Sequence, residues 1–154
     1  MFGAAEIWKS RDAATRSGFG GGPERVMTAI FFALLIGLEI KHYVADYFLQ
    51  PGWMLGGKGD LRKPGGYAHA GIHAALSFLV LVICRAPLWL AAELLVAEFA
   101  VHYALDYSKI HYSMGVHVDK EPRKFWALHG IDQLTHQLTY AAMIYIVLKV
   151  MGLA

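Results

Sequence analysis

The sequence predicts an all-α membrane protein whose four transmembrane helices form an up-down-up-down bundle. Three observations carry this expectation. The 154 residues are 56% hydrophobic and only 17% charged, with a mean hydropathy of +0.40, which places one domain of this length in the membrane class. Four apolar runs approach or reach the roughly 20 residues needed to cross a hydrocarbon core. Only three residues, Arg85-Ala86-Pro87, separate the second run from the third, so those two helices are expected to be antiparallel neighbours.

Residues 1–24 form a polar tail ahead of a transmembrane domain at 25–154. The tail has no long apolar core and does not read as a secretory signal. Phe2, Ile7 and Trp8 suggest a short interfacial helix over 2–13, and SGFGGGP at 17–23 reads as a flexible joint. The first span is expected over about 25–49, stopping at Pro51-Gly52. The second covers about 67–84 and the third about 88–108. The fourth ends near 151 and can begin as early as Pro122, with Asp119 as a candidate cap. The connections at 50–66 and 109–121 are polar and rich in glycine or histidine.

A net charge of +2 and a pI near 8.7 give no reason to expect nucleic acid as a partner. The single cysteine, Cys84, excludes an intrachain disulfide and reads as a small apolar residue.

Polar residues sit at selected ends of the spans. KHYVADY at 41–47 nearly recurs as VHYALDY at 101–107, which places His42/Asp46 and His102/Asp106 near the C-terminal ends of the first and third helices. His69/His73 open the second helix, and Asp132/His136 open the fourth, with His129 one turn earlier. In an up-and-down bundle these ends share one side. Each i,i+4 pair lies on one helix face, about 6 Å apart along the axis. The pairs are therefore expected at one level beneath one membrane face.

An aspartate near mid-membrane costs on the order of 2.5–3.5 kcal/mol on insertion scales, so several together need compensation. Neutral imidazoles with carboxylates are the ligand set for zinc, iron or manganese. A divalent transition metal, zinc first, would keep Asp46, Asp106 and Asp132 ionised and the histidines neutral. A structural hydrogen-bond network and a proton or ion pathway remain open as alternatives. The candidate metal residues are His42, Asp46, His69, His73, His102, Asp106, Asp132 and His136. They exceed the needs of one tetrahedral zinc, so either two metals bind or some of them orient ligands or act as general base; the three aspartates are the catalytic candidates. Lys58, Lys109, Gln50 and Gln133 are candidate substrate contacts, with interfacial snorkelling as the plainer reading of both lysines. Glu39 and Glu98 read as proton carriers or acceptors, and Glu93 as a cavity-lining group. His111 and His117 read as solvent-facing. Tyr43, Tyr47, Tyr103, Tyr107 and Trp126 read as an interface belt.

These residues carry a resemblance. The order H-x-x-x-D-Y-x-L-Q-x-x-W-M-x-x-x-K at His42 to Lys58, then His69/His73, then H-x-x-x-D-x-x-K at His102 to Lys109, then D-Q-x-x-H at Asp132 to His136, is similar to a family of small bacterial inner-membrane proteins known as domain of unknown function 3307. The resemblance covers about residues 26–150 and implies a multi-pass inner-membrane fold. More distantly, the set is similar to membrane-bound metal-dependent hydrolases with His/Asp motifs on helices.

Three functions fit the pattern. One is metal-dependent hydrolysis of a lipid-like or membrane-associated substrate; no G-x-S-x-G motif points to serine chemistry instead. Another is a non-haem iron lipid oxidase or hydroxylase, although the chain lacks the dense H-x-x-H-H clusters usual there. The last is a non-enzymatic metal- or proton-handling protein, for which four helices would call for a homo-oligomer. A slight excess of Lys and Arg on the motif side, Lys41 among them, places that side in the cytoplasm.

Overall fold

The computed structural model describes residues 22–154. The tail's interfacial helix therefore lies outside the described residues. The described chain is all-helical: α1 Pro23–Tyr47, α2 Gly52–Leu55, α3 Pro64–Ile83, α4 Leu88–Ser113 and α5 Pro122–Val150. Proline opens α1, α3 and α5, where its missing N–H would have no intrahelical partner anyway. α4 continues to Ser113 rather than stopping near 108. Nothing in Lys109–Ser113 breaks a helix, and the chain turns only at Gly115, which has φ 78°. The one-turn α2, seated after Pro51, lies in a segment expected to be loop.

Among the described residues, three helices are long and apolar enough to cross a membrane: α1, α3 and α4. This marks a multi-pass membrane protein. α5 has the length, but Asp132, Gln133, His136 and Gln137 dilute its first half.

α1 packs on α3 and α5, and α4 packs on the same two, so the four long helices close a ring. Helices across the diagonal make no close backbone approach among the described residues, which leaves the axis to side chains. At one end the axis is apolar. Leu34 and Leu38 of α1 meet Leu81 of α3, Leu90 and Leu94 of α4, and Ile144 and Val147 of α5. Early residues of α1 and α4 thus share a core with late residues of α3 and α5. The other end of the axis holds the histidines and aspartates.

The apolar end is closed by compact turns. After α3, Arg85 N–H donates to Val82 O at 3.0 Å and Ala86 N–H to Leu81 O at 3.0 Å. This is a Schellman arrangement with Arg85 at φ 62°, where glycine is usual. After α5, Gly152 takes the equivalent position at φ 68°, and Leu153 N–H donates to Leu148 O at 2.8 Å.

At the polar end, α2 and its following turn lean on the start of α3 through a glycine contact. A Cβ on Gly65 would lie 2.7 Å from Met54 O and 2.9 Å from Gly57 Cα. Backbone cannot give way as a side-chain tip can, and this contact delivers Lys58 to the interior. We expect Gly65→Ala to destabilise the protein by about 1–3 kcal/mol. Gly130→Ala, with open space around it, should instead stabilise by roughly 0.5–1 kcal/mol through helix propensity. Opposite shifts in thermal unfolding of the detergent-purified variants would test both.

Candidate metal centre

Each long helix brings an i,i+4 pair to the axis. From α1 come His42 and Asp46, from α3 His69 and His73, from α4 His102 and Asp106, and from α5 Asp132 and His136. All are buried except Asp46, which is half-buried. The imidazoles crowd together: ring centroids lie 3.9 Å apart for His73 and His102, 4.3 Å for His102 and His136, and 4.5 Å for His69 and His73. Asp46 Oδ1 lies 3.1 Å from His73 Nε2 and 3.3 Å from His69 Nε2, and Asp46 Oδ2 lies 3.3 Å from His42 Nε2.

Among the described residues, two groups have ligand atoms within 4.8 Å of one another: His69/His73/His102 and His102/Asp106/His136. Several atoms here have no hydrogen-bond partner, including both ring nitrogens of His102, His136 Nε2 and Asp132 Oδ1. Unpaired buried polar atoms are costly and rare, so a cluster of them on ligand-type side chains suits a cation. His136 is preset for that role. Its Nδ1–H donates to Asp132 O at 2.8 Å, which leaves the Nε2 lone pair free. Imidazole with carboxylate is the donor set of zinc, iron and manganese.

The other predicted polar residues surround this core. Lys58 Nζ lies 2.8 Å from Asp106 Oδ2, an ion-pair distance whose angles do not make a hydrogen bond. Lys109 Nζ donates to Asp132 Oδ2 at 2.6 Å. Both lysines therefore hold carboxylates in this structure. Gln50 Nε2 lies 2.9 Å from His69 Nδ1, and Gln133 Oε1 accepts from His42 Nε2 at 3.2 Å. A cavity of about 310 Å3 opens onto the centre. Its lining includes Asp46, Asp106 and Asp132 with Lys58 and Lys109, and His129 stands at its wall.

Other sequence candidates lie outside the centre. Glu93, His111 and His117 are exposed, which corrects the reading of Glu93 as cavity-lining. Tyr43, Tyr47 and Trp126 are exposed as a belt would be, while Tyr103 and Tyr107 are half-buried. Lys41 is not a loop cation. It is 5% exposed and paired with the buried Glu98, so the cationic excess on the motif side is thinner than the sequence suggests.

Sequence reasoning missed the network around Lys41. Its ammonium pairs with Glu98 and donates to Tyr140 OH at 2.9 Å, and Tyr140 O–H donates to His42 Nδ1 at 2.9 Å. The signal was present in the spacing. Leu34, Leu38, Lys41 and Ala45 fall on one buried stripe of α1, and Tyr140 follows His136 by one turn as Glu98 precedes His102.

A family model described as a protein of unknown function, DUF3307, matches residues 30–153. The chain belongs to the DUF3307 family. No curated protein and no solved structure matches this DUF3307 protein.

The Lys41–Glu98 pair is nearly inaccessible, so removing one charge strands the other. Lys41→Met is expected to destabilise the DUF3307 protein by about 3–5 kcal/mol. The double variant Lys41→Met/Glu98→Gln should recover most of that loss. A double-mutant cycle of unfolding free energies in detergent would measure the coupling.

Proposed function

We propose that this DUF3307 protein is a four-span, up-down-up-down protein of the bacterial inner membrane that uses a His/Asp-bound divalent metal to hydrolyse a lipid-like or membrane-associated substrate. One observation carries the reading. Imidazole and carboxylate groups from all four long helices converge beside a cavity of about 310 Å3, with several ligand-type atoms left unpaired. The shared apolar core, which includes Ile144 and Val147, supports α5 as the fourth span.

Charge balance supports a position for the cation. Lys58, Lys109 and Lys41 serve Asp106, Asp132 and Glu98 respectively. Asp46 faces only histidines within ion-pair distance among the described residues. His69, His73 and His102 with Asp46 would hold one metal. Asp106 and His136 would hold a second, or complete the first. A bound zinc would supply Lewis acidity and a water acidified toward neutral pH.

The remaining roles belong to the chain. Asp132 belongs to neither close ligand group; its Oδ1 has no partner while Oδ2 holds Lys109. It would accept a proton at Oδ1. Lys58 and Lys109 line the cavity and would bind the anionic part of a substrate. Gln50 and Gln133 orient His69 and His42.

A second reading, proton or metal handling without turnover, draws on the hydrogen-bonded chain from Glu98 through Lys41 and Tyr140 to His42, whose Nε2 lies 3.3 Å from Asp46 Oδ2. Elemental analysis of protein purified in detergent without chelator decides first. Stoichiometric transition metal is expected in the wild type, with loss in His73→Ala, His102→Ala and Asp106→Ala. Gln50→Ala should weaken metal affinity about 10–100-fold. Zinc supports hydrolysis, and iron with an optical band supports the oxidase alternative. A wild type free of transition metal would sink both. With metal bound, Asp132→Asn should cut lipid hydrolysis by about 10²–10⁴-fold. Transport in liposomes without lipid turnover would favour the second reading.

A further inference from the structure

His42 and His73 both approach Asp46, but the two rings are held differently. Behind His42 stands Tyr140, 1% exposed, whose oxygen lies 2.9 Å from the Lys41 ammonium. An ammonium group offers only donors, so the tyrosine oxygen accepts there. Among the described residues its O–H has one other partner, His42 Nδ1 at 2.9 Å. Nδ1 is therefore an acceptor, and the ring proton sits on Nε2. The other edge of the ring gives the same assignment independently. Asp132, paired with Lys109, can only accept, so the Gln133 atom 3.3 Å from its Oδ2 is the amide Nε2. That turns Gln133 Oε1 toward His42 Nε2 at 3.2 Å, and a carbonyl oxygen there calls for an N–H.

No other ring of the cluster is fixed in this way. His73 Nε2 lies 3.1 Å from Asp46 Oδ1, but its Nδ1 has no partner among the described residues, and neither nitrogen of His102 has one. The proton of either ring can therefore sit on the nitrogen that a cation does not use. His136 already leaves Nε2 open. The Gln50 side chain bonds only to His69 among the described residues, so either of its amide atoms can face that ring.

We propose that His42 binds no metal: Tyr140 and Gln133 hold it as the Nε2–H tautomer, and it serves as the positioning residue that keeps an N–H edge on Asp46. The inference rests on the reading of Asp46 as a metal ligand. Both nitrogens of His42 are spent, one on Tyr140 and one on the proton, so neither lone pair is free for a cation. Its Nε2 lies 3.3 Å from Asp46 Oδ2, while Oδ1 faces His69 and His73. The N–H edge attracts Oδ2 and leaves Oδ1 turned to the ligand histidines. Ligating carboxylates are commonly steadied by such outer partners. Spacing alone makes His42/Asp46 the equal of His102/Asp106; what stands behind each ring separates them.

Nitrogen NMR of the full chain, carrying isotope-labelled histidine and stripped of metal in detergent, reads the tautomer directly. His42→Gln assigns the signal by its absence. His42 is expected to carry its proton on Nε2, and the double variant Tyr140→Phe/Gln133→Leu to mix both tautomers. A wild-type His42 protonated on Nδ1, or a double variant that keeps pure Nε2–H, would overturn the proposal. If the double variant does not fold, zinc affinity measured by chelator competition decides. His42→Ala should weaken binding about 10–100-fold at unchanged stoichiometry. His42→Gln, whose amide N–H reaches the place of Nε2–H, should recover most of that loss, while His73→Gln should lose the metal. Equal loss of zinc in His42→Gln and His73→Gln would make His42 a ligand and end the proposal. A wild type that takes up no zinc sinks the metal reading and this role with it; an Nδ1–H His42 in a zinc-binding wild type sinks this inference alone.

Discussion

A polar group inside a hydrocarbon layer must find its partner within the protein, and the architecture follows from that constraint. No single helix here satisfies its pair by itself. His42 needs Tyr140 and Gln133, Asp46 needs His69 and His73, and Asp132 needs Lys109. Each partner comes from a different helix. The four faces are therefore committed to one another at one end of the axis, while Leu38, Leu81, Leu94 and Val147 fill the other end by dispersion and area burial. The apolar end asks only for volume, but the polar end also requires direction.

Direction shows in how charge is distributed. Three ammonium groups are drawn inward, each to one carboxylate, and two of those carboxylates face the cavity. Such pairs are weak sources of stability once desolvation is counted. Placed beside imidazoles with unpaired nitrogens, they shape the charge around the cavity more than they add stability. Among the described residues Asp46 stands apart as the carboxylate of the centre met only by imidazoles, so the centre has an unequal interior, with one corner that no ammonium group reaches.

Much of this was legible in the chain, and the limits are instructive. His42/Asp46, His69/His73, His102/Asp106 and Asp132/His136 could be found because i,i+4 spacing and helix polarity are properties of sequence, and the structure does bring these groups together. Lys41 was misread because a lysine near a span end looks like an orientation signal, and only packing reveals that it lies on the buried stripe with Leu38 and Ala45. Lys58 could be placed near the site but not against Asp106, since the Gly57–Gly65 contact that carries it there is a fact of backbone approach. The extension of α4 to Ser113 was hidden by polarity: a segment leaving hydrocarbon keeps its helix until a residue such as Gly115 ends it.

The turn at Arg85 has a reach beyond its own hydrogen bonds. It is the shortest connection between long helices and sits at the end farthest from the histidines, while the connections near the centre are longer. α3 and α4 are thereby joined like tongs at their closed end. His102 lies roughly 21 Å along α4 from that joint at 1.5 Å per residue. A tilt of about 5° at the fulcrum would carry its ring by about 2 Å, as much as separates a bond from a gap. The left-handed backbone of Arg85 thus bears on the spacing of His73 and His102 from the opposite end of the molecule.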